Sequence, residues 1–157
     1  MSVILISGLF INFNSKGVKL VKFKWLLLSG FSMFLFALPA QAGRLVVWRM
    51  APNQNQLTFT TDAGVQPKAM LMMNPTRLII DLPGISLNSK TVNQKLNGAM
   101  DLLRVGQVDQ STTRLVVQLK EGFTYDPQQI RFRGATPRQW SVTLPAPQRV
   151  VEQPSGS

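Results

Sequence analysis

Polar and apolar residues alternate along this chain in short runs. From Gln56 to Thr61, Leu57 and Phe59 fall on one side and threonines on the other. Arg77 to Leu82 sets Leu78, Ile80 and Leu82 against Arg77, Ile79 and Asp81. Arg114 to Leu119 sets Leu115, Val117 and Leu119 against Arg114, Val116 and Gln118. Period-two alternation bounded by Pro, Gly and Asn predicts half-buried strands. Further strands are expected over Arg44–Met50, Lys68–Met73, Leu102–Val108, Gln129–Arg133 and Gln139–Leu144, making eight. In them Leu103, Val105, Ile130, Phe132, Trp140, Val142 and Leu144 face inward, while Leu102, Arg104, Arg131 and Arg133 face outward. Residues 92–99 alone read as a single helical turn.

The pattern occurs twice. Leu57, Phe59 and Gly64 match Leu115, Val117 and Gly122 at an offset of 58. Pro75, Leu78, Ile80, Leu82 and Pro83 match Pro137, Trp140, Val142, Leu144 and Pro145 at an offset of 62. A duplication of this length constrains the architecture before any one strand is assigned. Four strands per copy predict an all-β fold, a sandwich of two related four-stranded sheets built from an internal duplication. A small closed barrel is the alternative. Gly64, Gly84, Gly106 and Gly122 are expected at turns or bulges, Trp140 in the core, and Met70–Met73 as adaptable core filling. Trp48 has two readings, packing or a sugar-stacking platform; Phe123 and Tyr125, flanking a turn, are candidates for exposed aromatics.

Composition adds a leader. Lys19, Lys22 and Lys24 precede an apolar run from Trp25 to Leu38, and Ala40-Gln41-Ala42 follows. This predicts a secretory signal over residues 18–42, cleaved after Ala42. An uncleaved anchor is the alternative, although the 14-residue run falls short of the roughly 20 that span a bilayer. Residues 1–17 form a second apolar stretch, read either as an extended leader or as a start that belongs at Val18 or Val21. The expected organisation is then a domain over 43–147 and a flexible tail or linker over 148–157. The expected location is exported, in the periplasm or cell wall, with membrane contact only through the leader.

The 157 residues contain no Cys and no His. Disulfides are excluded, and the packed core must supply the stability. The usual His-ligated zinc and His-assisted nucleophile chemistries are closed as well. The seven acidic residues lie in no recognisable acid/base context. No cofactor, metal or catalytic residue is expected, and the domain is not expected to be an enzyme. Past residue 42 the charge is +6, which favours an anionic partner. With export, that partner is cell-wall polymer or lipid headgroup and not nucleic acid.

Four segments carry more. Asn74-Pro-Thr-Arg-Leu-Ile-Ile-Asp-Leu-Pro-Gly84, Arg104-Val-Gly-Gln107, Thr113-Arg-Leu-Val-Val117 and Trp140-Ser-Val-Thr-Leu-Pro145 stand in that order. Together they resemble the AMIN domain, the N-terminal module of bacterial N-acetylmuramoyl-L-alanine amidases that also occurs in type IV pilus secretins. The form preceding cyanobacterial amidases is the most similar. The resemblance covers roughly residues 44–146. It implies a sandwich of two related sheets and a targeting role, in which the module binds peptidoglycan and brings an attached hydrolase to the septum. The family pattern maps onto Arg77, Asp81, Pro83, Gly84, Arg104, Gly106, Gln107 and Arg114. Within these 157 residues the resemblance does not extend to the zinc catalytic domain of the amidases. The chain is therefore read as a stand-alone module or as the targeting fragment of an amidase, with docking to secretin or division-site proteins as a third reading.

From these segments Arg77, Asp81, Arg104, Gln107 and Arg114 are the candidate peptidoglycan-binding residues. Arginine grips carboxylates through two parallel hydrogen bonds, and wall peptides present carboxylates. Gln107 suits sugar hydroxyls and N-acetyl groups, or else a turn after Gly106. Asp81 has a structural reading too, a cross-strand pair with Arg104 or Arg114. The copies differ outside: Arg77-Leu-Ile-Ile-Asp81 stands where the second copy has Gln139-Trp-Ser-Val-Thr143. That difference marks the first copy's outer face as the place to seek binding.

Overall fold

The computed structural model describes residues 42–151. The expected leader apart from Ala42, the alternative starts and residues 152–157 lie outside the described residues. Within them the alternating runs fold as strands: β1 (Gly43–Met50), β2 (Gln56–Thr61), β3 (Lys68–Met72), β4 (Arg77–Pro83), β5 (Ile85–Ser86), β6 (Val92–Lys95), β7 (Met100–Asp109), β8 (Thr112–Leu119), β9 (Phe123–Thr124), β10 (Arg131–Thr136), β11 (Gln139–Thr143) and β12 (Gln148–Arg149). The one helical piece among the described residues is a 3-10 turn, Pro127–Gln129. Asp126 caps it by accepting a hydrogen bond from the Gln128 N–H.

Each copy forms two hairpin-like pairs, β1–β2 and β3–β4 in the first, β7–β8 and β10–β11 in the second. The copies then exchange partners. β11 of the second copy pairs with β2 of the first, and β4 of the first pairs with β8 of the second, all antiparallel. The registers match: Trp140 lies opposite Phe59 and Val142 opposite Leu57, as Leu78 lies opposite Val117 and Ile80 opposite Leu115. These are the positions equated by the two sequence offsets, so the duplication is visible in the hydrogen bonds.

This corrects the expectation of separate face-to-face sheets, one per copy. Ten strands form one sheet along the path β10-β11-β2-β1-β5-β8-β4-β3, with β7 and β6 branching from β8, and β9 and β12 form a separate pair. β5 closes the link by pairing in parallel with β1 and with β8. The physical reason is geometric. Gly84 takes a left-handed backbone (φ 76°) after Pro83, which turns the chain so that Ile85–Ser86 bridges the two arms. The sheet is therefore mixed and curled. Both arms line a single core: Leu57, Phe59 and Val142 from one, Ile80, Leu82, Leu103, Val105, Leu115, Val117 and Leu119 from the other. A fully buried aliphatic or aromatic side chain contributes about 1.5–3 kcal/mol, which is how the domain stands without disulfides.

Other expectations change with the topology. Residues 92–95 are strand β6 against β7, not a helical turn. Met70, Met72 and Met73 are about half exposed and do not fill the core. β3 is an edge strand, and of its residues only Leu71 packs, half-buried, against the core. Phe132 is 36 % exposed; it pairs with buried Val142 but lies on edge strand β10, where no further strand covers it. Trp140 and Trp48 pack half-buried against the core. Tyr125 is buried rather than exposed, and Phe123 packs beneath the Arg149 guanidinium, 5.5 Å from its ring centre. Gly106 is not at a turn. It lies inside β7 opposite Arg114, where a Cβ would come within 3.1 Å of the Thr91 hydroxyl. The tail begins later than expected, because Gln148–Arg149 pairs with β9 and the Val150 N–H donates to the Gly122 carbonyl at 2.8 Å.

Candidate functional site

The inward demand of Leu78, Ile80 and Leu82 turns Arg77, Ile79 and Asp81 to the outside of β4. The same demand on β8 turns out Arg114, Val116 and Gln118, and on β7 Leu102 and Arg104. Cross-strand register stacks them into three rows. One row runs Lys68, Asp81, Arg114, Gly106; the next Met70, Ile79, Val116, Arg104, Asn93; the third Met72, Arg77, Gln118, Leu102, Lys95. Of the five candidate residues, Arg77, Asp81, Arg104 and Arg114 thus share one face.

Asp81 and Arg114 lie directly opposite and form a two-pronged pair. Arg114 Nε donates to Asp81 Oδ1 at 2.6 Å and Nη2 to Oδ2 at 2.9 Å. The Arg114 hydrogen bonds hold the Asp81 carboxyl below its ordinary range, and the same bonds raise Arg114. Both carboxylate oxygens are engaged within the domain. Asp81 therefore orients Arg114, and its charge is already paired within the domain. The geometry matches the cross-strand reading with Arg114 and not the one with Arg104.

Around the pair is a shallow depression of about 540 Å3. Arg77, Arg104 and Arg114 surround its apolar strip of Ile79, Val116 and Leu102. Ile79 is only 6 % exposed although it lies outside the core cluster, so its neighbours' side chains cover it. Arg77 and Arg104 have no carboxylate partner among the described residues. Arg77 Nε is buried there without an acceptor, an arrangement that costs free energy while the N–H stays unpaired. Gln118 is held by Asp101, its Nε2 donating to Oδ2 at 3.1 Å. The face can therefore hold a carboxylate against apolar surface, with Arg77 and Arg104 as the available cations.

Gln107 lies on the rim, but its carboxamide is occupied. Oε1 accepts from the Leu87 N–H at 2.5 Å and Nε2 donates to the Asp109 carbonyl at 2.6 Å. It ties the segment after β5 to the end of β7 instead of facing a ligand. The apolar strip is what candidate selection by charge missed. Its signal was present, because Ile79 and Val116 alternate to the outer side, an unusual place for β-branched aliphatics. The equivalent outer face of the other arm differs: Gln139 and Gln56 stand for Arg77 and Arg114, Ser141 for Ile79, Thr58 for Val116 and Thr143 for Asp81. Among the described residues no group of His, Cys, Asp and Glu is arranged to hold a metal ion, and no helix is long and apolar enough to cross a membrane.

The family model for the AMIN domain matches residues 44–144. No curated protein matches the chain.

Proposed function

The chain belongs to the AMIN domain family, a family of non-catalytic, peptidoglycan-associated targeting modules, and from that membership we propose that it is exported and binds the cell wall through the outer face of β4, β8 and β7. Arg77 and Arg104 take carboxylates of the wall peptides. Arg114, held in place by Asp81, supplies fixed positive charge, and half-buried Val116 and Leu102 give the non-polar parts of the ligand a surface. The observation that carries this reading is the pair of arginines without acidic partners over an apolar strip, one of them with a buried, unpaired N–H.

A shallow face of this kind binds weakly, near millimolar to tens of micromolar or about −4 to −6 kcal/mol per site. The repeating wall, or a tethered partner, raises the effective affinity. Co-sedimentation of the folded chain with purified wall sacculi tests the proposal. Binding is expected at low salt and declines as salt screens the arginines. Arg104→Ala and Arg77→Ala each weaken it by about threefold to tenfold without unfolding the domain, the equivalent of about 0.7–1.4 kcal/mol. A folded protein that stays in the supernatant at low salt refutes it.

A second reading is docking to a secretin or division-site protein. It is favoured by edge strand β3, where Met70, Met72 and Met73 are exposed beside unpaired backbone. Capture of such a partner by a chain that ignores sacculi decides for it. In either case the module serves alone or as the targeting part of an amidase, and the coding sequence downstream distinguishes the two.

A further inference from the structure

A second depression, of about 490 Å3, lies where three segments meet: the β1–β2 turn, the β6–β7 turn and the stretch after β11. In a domain this basic its lining is unusual, because it contains no charged side chain. Asn53, Asn55 and Asn97 stand around it, buried Met100 and Leu144 form its floor, and Pro145 and Pro147 its side.

The duplication shows that the fold does not require this feature. The β7–β8 hairpin is closed by Gln110 and Ser111 alone, whereas the matching β1–β2 connection runs through Ala51-Pro-Asn-Gln-Asn55. The extra amide-rich residues occur in one copy only. They are also held firmly. Gln54 adopts a left-handed backbone (φ 58°), a conformation disfavoured for a side-chain-bearing residue. Its carboxamide accepts from the Asn97 N–H at 2.8 Å and donates to the Asn97 carbonyl at 3.2 Å. The Leu144 N–H donates to the Asn55 carbonyl at 2.8 Å. All three walls are thereby joined, two of them through the Gln54 side chain, while the Asn55 and Asn97 carboxamides have no partner among the described residues. Gly98 leaves the approach open, since a Cβ there would meet nothing within 4 Å.

We propose that this cleft is a separate binding site for an uncharged, N-acetylated sugar, the glycan rather than the peptide part of the wall; the choice of sugar rests on the wall-binding reading. Each carboxamide offers two donors and an acceptor, the complement of adjacent hydroxyls and of an acetamido group. The proline rings and the Leu144–Met100 floor fit the non-polar face of a sugar ring. Without charge in the lining, binding does not depend on ionic strength.

The test is amide NMR of the chain titrated with an uncharged tetramer of N-acetylglucosamine. Saturable shifts are expected at residues 53–55, 97–99 and 144–148 in the millimolar range, about the strength a few neutral hydrogen bonds allow. They persist when salt is raised from about 0.1 to about 0.5 M. Asn55→Ala with Asn97→Ala weakens binding at least about fivefold with the remaining spectrum unchanged, whereas Arg104→Ala does not alter it. Cellotetraose, lacking the acetamido groups, binds several-fold more weakly. Absence of shifts, shifts confined to the β4–β8 face, unchanged affinity in the double variant, equal binding of cellotetraose, or a wall stem peptide occupying the cleft in place of the sugar each overturns the assignment. Because the tetramer carries no carboxylate, the arginine face can fail its sacculus test while this site passes, and the reverse.

Discussion

Replacing Asp81 with Asn separates what holds the arginine face together from what it binds. The substitution keeps the shape and one acceptor but removes the charge that Arg114 grips at 2.6 and 2.9 Å. A fully exposed ion pair contributes at most about 1 kcal/mol, and stripping the partner from a buried charge costs about 3–5 kcal/mol. This pair lies between: the Asp81 side chain is 20 % exposed and that of Arg114 36 %, so Arg114 can still be hydrated. Discounting for that screening, the loss is about 1–2 kcal/mol at neutral pH. For a domain of roughly 100 residues this lowers Tm by about 5–15 °C.

The pH dependence has a definite sign. Folding lowers the Asp81 pKa from its ordinary 3.8, so the unfolded chain takes up the proton first. The stabilisation is complete above that ordinary value and is lost as pH falls through the lower folded one. Thermal unfolding by circular dichroism should therefore show native and Asp81→Asn proteins far apart at pH 7 and converging in acid. A cycle with Arg114→Gln should place most of the loss in the coupling between the two residues. Sacculus binding by Asp81→Asn should hold or rise, because the face becomes more positive. A Tm change under about 2 °C or a gap that survives acid would refute the structural role given to Asp81.

Tyr125 is buried with its hydroxyl unpaired among the described residues. Tyr125→Phe should leave Tm unchanged or raise it, by up to about 1–2 kcal/mol of recovered desolvation; a clear destabilisation would reveal a partner for that oxygen. Burial also raises the Tyr125 pKa, so ultraviolet titration should show no phenolate below about pH 11 in the folded protein. Gly84→Ala forces a side chain into a left-handed backbone (φ 76°) and should cost about 1–2 kcal/mol in urea unfolding without altering sugar binding. Phe59→Ala removes a fully buried ring shared by both arms and should cost about 3–5 kcal/mol; a smaller loss would mean that the core collapses around the gap.

The sequence by itself determined eight of the twelve strands, the duplication and most of the faces. Alternation in Arg77-Leu-Ile-Ile-Asp-Leu82 has one solution once Leu78, Ile80 and Leu82 must be dry, and that solution turns Arg77, Ile79 and Asp81 outward together. The four ordered motifs led to the family for the same reason, since they are the strands and turns that the register requires. Tertiary structure decided the pairing. Side-chain period says which face a residue takes but not which strand lies beside it, so nothing local could show that the copies exchange partners, or that Arg114 and not Arg104 meets Asp81. It also decided exposure at the edges: Met70 and Met72 alternate as a buried strand would and are exposed because they face away from the core on the last strand of the path. The occupied carboxamide of Gln107 and the clamp of Gln54 on Asn97 depend on contacts across 20 and 43 residues. Such contacts exist only once the chain has closed its loops, which is why the neutral cleft could not be read from the residues that line it.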